Sequence, residues 1–144
     1  MKDIKRYIGK ITLVNRMSFF AGLTLLLFLV TGCSAPPEKL GDLDLVKWRN
    51  DRGGCKGERT ALEPAFKNEQ EKMMGKLADD VGTILGKPDI QQLGGRNQKF
   101  YVYFLERGPQ CDDIKHKSNA RKVVLKFNAL GLLSEITFQT LPLQ

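Results

Sequence analysis

The chain has 144 residues, 23 of them basic and 16 acidic, with a formal net charge of +7. Residues 1–32 hold five of the bases and one of the acids, so the other 112 residues carry 18 and 15, a net of +3. That near-balance gives no electrostatic reason to expect a nucleic-acid partner, and the length allows one small domain with a tether.

Lys2, Lys5, Arg6, Lys10 and Arg16 precede an apolar run from Met17 to Val30. Its 14 residues fall short of the roughly 20 that a membrane-spanning helix needs. The run leads into Val30-Thr31-Gly32-Cys33 and then Ser34-Ala35-Pro36-Pro37. A basic start, a short apolar core and small residues before a cleavage point are the three parts of a secretory signal. The segment resembles a bacterial lipoprotein signal peptide with its lipobox. An uncleaved anchor is the alternative, and a start at Met17 would lack the five bases. The resemblance implies cleavage before Cys33, with covalent lipid on the Cys33 thiol and new amino group as the only attached group. It implies a lipid-anchored protein of the bacterial cell envelope. Ser34 is not the aspartate of an inner-membrane retention signal, which in a Gram-negative host implies the periplasmic face of the outer membrane. The expected organisation is a signal peptide over 1–32, a lipidated, flexible tether over 33–44 and an α+β domain over 45–144.

Three cysteines are an odd number for an exported protein. If Cys33 carries lipid, Cys55 and Cys111 remain, and an oxidising compartment favours a disulfide between them. The competing reading is a redox or catalytic thiol served by His116, the single histidine.

Beyond Cys33, Pro36-Pro37 and Gly41-Asp42 mark Ser34 to Asp42 as a linker, reaching at most roughly 30 Å. Leu43 to Trp48 is expected as a short helix or an extended docking segment, with Trp48 packed against the domain. Asp51-Arg52-Gly53-Gly54-Cys55 is expected as a turn. Thr60-Ala61-Leu62-Glu63 matches a capping box, so a helix is expected from Thr60, with Pro64 in its first turn and Gly75 at its end. Leu62, Phe66, Met73 and Leu77 would share its buried face. A second helix is expected over Ala78 to Leu85, with Asp79 and Asp80 at its positive end. Val81, Ile84 and Leu85 would be buried, and Gly86 and Pro88 would stop it.

The last third is expected to be β. Gly94-Gly95 forms a turn before a first strand from Phe100 to Glu106, rich in aromatic and β-branched residues. Apolar character on both faces makes that strand central, or covered on both sides. A polar loop, Arg107 to Ala120, precedes a strand from Arg121 to Asn128, with Val123, Leu125 and Phe127 inward and Lys126 outward. Ala129-Leu130-Gly131 turns the chain into a third strand from Leu132 to Gln139, with Ile136 and Phe138 inward.

Gly75, Val81, Ile84-Leu85-Gly86-Lys87-Pro88-Asp89, the strand Tyr101-Val102-Tyr103-Phe104 and a strand pair meeting at Gly131 occur in an order that resembles the BamE-like (SmpA/OmlA-type) domain of small outer-membrane lipoproteins. The resemblance covers residues 75 to 139. It implies a two-layer sandwich of two helices on a three-stranded antiparallel sheet. It also implies a non-enzymatic role beside the outer-membrane β-barrel assembly machinery. Cys55, Cys111 and the Asp51 to Cys55 segment are not part of that family pattern.

No catalytic constellation is legible. Ser118 lies near His116, but no carboxylate completes a triad. Asp112, Asp113 and His116 do not have a metal-ligand spacing, and a solvated loop is the plainer reading. Gly94-Gly95 lacks the residues of a phosphate loop. Lys115, Lys117, Arg121 and Lys122 form a basic cluster that is either simply solvated or able to touch anionic lipid, lipopolysaccharide or peptidoglycan. Tyr101 and Tyr103 are candidate interface anchors if their sheet face is exposed. The expectation is therefore a lipid-anchored interaction module that is not an enzyme and has no metal. A ligand-binding or inhibitor-like module using the sheet is the alternative.

Overall fold

The computed structural model describes residues 35–141. Cys33 and the expected signal peptide lie outside the described residues. The described chain is α+β, with three helices and antiparallel sheets of two and four strands.

Among the described residues, the first strand lies inside the stretch expected as a tether. β1 (Lys39–Leu40) pairs with β2 (Leu43–Asp44), and Leu43 is fully buried. The Asp42 amide at the hairpin turn donates to Glu69 Oε1 at 3.3 Å. Lys72 pairs with the same carboxylate. The Lys72 ammonium, and then the Asp42 amide, hold Glu69 below the usual carboxylate range.

Helix α1 (Leu45–Asn50) starts at Asp44, whose Oδ1 accepts from the Lys47 amide at 3.0 Å, a side-chain N-cap. Leu45 and Trp48 enter the core. Trp48 stacks on Phe66, with centroids 4.8 Å apart, and tilts against Tyr103 at 6.1 Å.

Helix α2 (Glu58–Glu69) begins two residues earlier than its capping box suggests, after Gly57. The box residues are used elsewhere. Thr60 Oγ1 donates to the Leu105 carbonyl at 2.6 Å. Glu63 pairs with Lys67 at 2.8 Å and Arg121 at 2.9 Å. Pro64 therefore falls inside the helix rather than in its first turn. The helix ends at Glu69, and a 3₁₀ turn over Gln70–Met73 leads towards Gly75. That change of period explains why the expected apolar face breaks up. Phe66 and Met73 are fully buried, but Leu77 is 51% exposed.

Helix α3 (Ala78–Leu85) has the bounds expected of it. Val81 and Leu85 are buried, Ile84 packs partly against the core, and Gly86 follows at φ +80°, a backbone that favours glycine.

The larger sheet has four strands where three were expected: β3 (Ile90–Leu93), β4 (Lys99–Phe104), β5 (Lys122–Phe127) and β6 (Leu133–Gln139), hydrogen-bonded in that order. β4 is central, and a bulge at Lys126/Phe127 shifts the β5–β6 register. β3 is the unforeseen strand. Its sequence, Ile-Gln-Gln-Leu, lacks period-2 alternation, and Leu93 is 79% exposed. The three helices cover one face of the sheet, where Tyr101, Tyr103, Val123, Leu125 and Phe127 meet Trp48, Phe66, Val81 and Leu85.

Candidate functional site

Two features distinguish the molecule beyond its core: a buried polar hub at one end of β4, and the sheet face turned away from the helices. The hub forms where the turn after α1, the start of α2 and the end of β4 converge. Arg59 and Asp89 form an ion pair with side chains only 1% exposed. Arg59 also donates through Nε to the Trp48 carbonyl at 3.0 Å and through Nη1 to the Phe104 carbonyl at 3.1 Å. Asp89 accepts from the Gly53 amide at 2.9 Å and the Phe104 amide at 2.8 Å. Asp51 accepts from the amides of Lys56 at 2.7 Å and Arg59 at 2.8 Å. The Arg59 guanidinium lies 5.2 Å from the Trp48 ring centroid and 5.4 Å from that of Tyr103, within cation–π range.

Cys55 and Cys111 are joined beside this hub, with Cα atoms 5.8 Å apart. Gly54, at φ +68°, brings the chain there. A Cβ on Gly54 would lie 2.8 Å from Leu105 C and Glu106 N, so the close approach requires glycine. Gln110 reinforces the bridge, donating to the carbonyls of Gly53 at 2.9 Å and Glu106 at 2.8 Å. Ser118 Oγ donates to Gln110 Oε1. The 107–120 loop is thus fastened at both ends, while residues 112–117 between them are exposed.

The expected interaction surface does not assemble. Tyr101 and Tyr103 are 6% and 0% exposed on the helix-covered face, so they cannot anchor a partner there. Tyr101 packs edge-on against Phe127 at 4.8 Å, and the Tyr103 hydroxyl donates to the Gly86 carbonyl at 2.8 Å. The basic cluster also separates. Lys115 and Lys117 are exposed, whereas Arg121 is half-buried and paired with Glu63. Lys122 is fully buried because the end of the 107–120 loop and residues 140–141 close over it. Its ammonium donates to the carbonyls of Ser118 at 3.1 Å, Thr140 at 3.3 Å and Leu141 at 2.9 Å. Burial pulls its pKa below the ordinary lysine value, and Glu106 partly opposes that.

Burial pushes the pKa of Tyr101 and Tyr103 above the ordinary tyrosine value, with Asp79 adding to the effect at Tyr101. The unfolded side chains ionise near about pH 10. Above that pH the unfolded state loses protons that the folded state keeps, so this contribution to stability is intact below it and falls as pH rises. Apart from Tyr7, these are the chain's tyrosines. In an alkaline titration of the protein cleaved before Cys33, tyrosinate absorbance is expected to appear together with loss of circular dichroism. Full tyrosinate absorbance with the fold retained would contradict the burial.

The sheet face opposite the helices carries a shallow, open depression of about 330 Å³. Phe100 and Val124 supply its apolar lining, and Gln92, Thr137 and Gln139 its polar lining. Lys126 and Glu135 line it as well, paired at 3.2 Å. A neighbouring depression of about 210 Å³ shares Gln92 and is lined by Lys115, His116 and Lys117 over Ile90 and Phe104. No local sequence signal marks this face, because its lining comes from four strands and a loop that are far apart in the chain.

Among the described residues, no three His, Cys, Asp or Glu side chains gather to hold a metal, and no helix is long and apolar enough to cross a membrane. Comparison with protein-family models, curated proteins and solved structures finds no match to the chain.

Proposed function

We propose that this chain is a lipid-anchored protein of the bacterial envelope whose domain is a non-enzymatic interaction module. The observation that carries the reading is Val30-Thr31-Gly32-Cys33 behind a basic, then apolar, leader. The Cys55–Cys111 bond supports it, because such bonds persist in oxidising compartments. The first strand, beginning at Lys39, sharpens the geometry. Residues 34–38 reach at most roughly 17 Å, so lipid on Cys33 would hold the domain against the bilayer surface. Attachment to Cys33 of more than one acyl chain makes such anchoring stable.

The finer reading is a BamE-like sandwich serving envelope integrity or outer-membrane protein assembly on the periplasmic face of the outer membrane. Helices α2 and α3 packed on β4, β5 and β6 are compatible with that arrangement. Helix α1, β3 and the small hairpin would then be additions. The second reading, a ligand-binding module, is favoured by the open, mixed-polarity depression on the outer sheet face.

Cys33→Ala tests the anchor. It is expected to abolish lipid labelling and leave a full-length precursor, whereas a cleaved, unlabelled product would contradict the lipobox. In-cell crosslinking tests the finer role. Recovery of barrel-assembly components is expected, and their absence would remove that role while leaving the anchor intact.

A further inference from the structure

We propose that the sheet face opposite the helices is a binding site for an acidic glycan, taking a sugar ring beside Phe100 and the sugar's carboxylate beside Lys115 and Lys117. The proposal adopts the ligand-binding reading and places it in the envelope, but the site's chemistry does not depend on lipid at Cys33.

The two depressions differ in charge. In the first, the Lys126 and Glu135 charges cancel as an ion pair, and the remaining lining is neutral. Phe100 offers an aromatic surface, and Thr137 and Gln139 offer both hydrogen-bond donors and acceptors. A pyranose has the complementary character, with an apolar C–H face and a rim of hydroxyl groups. A volume of about 330 Å³ lies at the small end of ligand sites.

The second depression carries two exposed ammonium groups and the His116 imidazole. The loop's acids, Asp112 and Asp113, are not among the lining residues, and Asp113 accepts from the Lys115 amide at 2.9 Å. Because Gln92 lines both depressions, one ligand can span them. A neutral ring joined to a carboxylate matches the pair, whereas a uniformly anionic polymer would leave the neutral part unused. Among envelope polymers, carboxylate-bearing peptidoglycan has this chemistry.

The test titrates the full chain, in detergent, with a soluble disaccharide-peptide fragment of peptidoglycan bearing free carboxylates. A neutral chitin disaccharide is titrated in parallel. The acidic fragment is expected to bind more tightly, with affinity falling as salt rises. Phe100→Ala is expected to weaken both ligands by roughly tenfold, the equivalent of one lost ring contact. Lys115→Glu with Lys117→Glu, at exposed positions where folding is undisturbed, is expected to weaken only the acidic ligand, by roughly fivefold. Absence of binding by either sugar, or binding indifferent to the lysine pair, would overturn the proposal. Neither result depends on whether Cys33 is lipidated, so the anchor and the glycan site fail separately.

Discussion

Asp89→Ala is expected to cost about 3–5 kcal/mol of folding stability, because it strands the buried Arg59 charge. The substitution also removes the acceptor of the Gly53 and Phe104 amides, and each orphaned buried donor adds its own desolvation cost. A domain of this size is stable by only about 5–15 kcal/mol, so the variant should unfold at far lower urea concentration or fail to accumulate. Asp89→Asn separates charge from shape. Its amide nitrogen must face one of three donors where a carboxylate oxygen faced them, so it too should destabilise, by less than alanine. Arg59→Met together with Asp89→Ala should recover only part of the loss, since the two backbone amides stay unpaired. Urea unfolding of the three variants checks the ordering. A change below about 1 kcal/mol for Asp89→Ala, the scale of a surface pair, would show that the hub does not hold the fold together.

Opening the Cys55–Cys111 bond is the second large effect. The cysteines are separated by 56 residues, and the loop-entropy estimate for such a closure is about 4 kcal/mol. Most of this arises in the unfolded chain, which gains freedom when the link is cut. Cys55→Ala with Cys111→Ala should therefore lower the urea midpoint and steepen the transition, as a more expanded unfolded state exposes more surface. Native circular dichroism should survive in the absence of denaturant. The Gln110 contacts to Gly53 and Glu106 would keep the 107–120 loop near its place. Equal stability of the oxidised and reduced proteins, with free thiols verified, would contradict the account.

These two devices differ in how plainly they stood in the sequence. Setting Cys33 aside left Cys55 and Cys111 as partners, and they are joined. The Arg59–Asp89 hub had no local signal. Arg59 adjoins an apparent capping box, and Asp89 follows a helix-stopping Gly-Lys-Pro, so local chemistry explained both residues while long-range contacts used them. The same competition moved the start of α2, because Thr60 is drawn to Leu105 and Glu63 to Arg121. Helix α3, the central strand β4 and the β5–β6 hairpin were legible, since their patterns are strong and their stop residues explicit. The edge strand β3 was not, because an edge needs apolar residues on neither a full face nor a regular period. The direction of the tyrosines was likewise open. Alternation placed Tyr101 and Tyr103 on one face and Phe100, Val102 and Phe104 on the other, but it did not say which face the helices would choose.

That choice of face alters where function can lie. With both tyrosines inside, the outward surface is the Phe100 and Val124 side with its polar margin.

Intact-mass measurement of the protein extracted from membranes tests the lipid-anchored reading most directly. The account predicts a chain beginning at Cys33, heavier than its polypeptide by a diacylglyceryl group and an amide-linked acyl chain, with Cys55 and Cys111 lighter by the two hydrogens of a disulfide. An unmodified chain retaining residues 1–32 would contradict it.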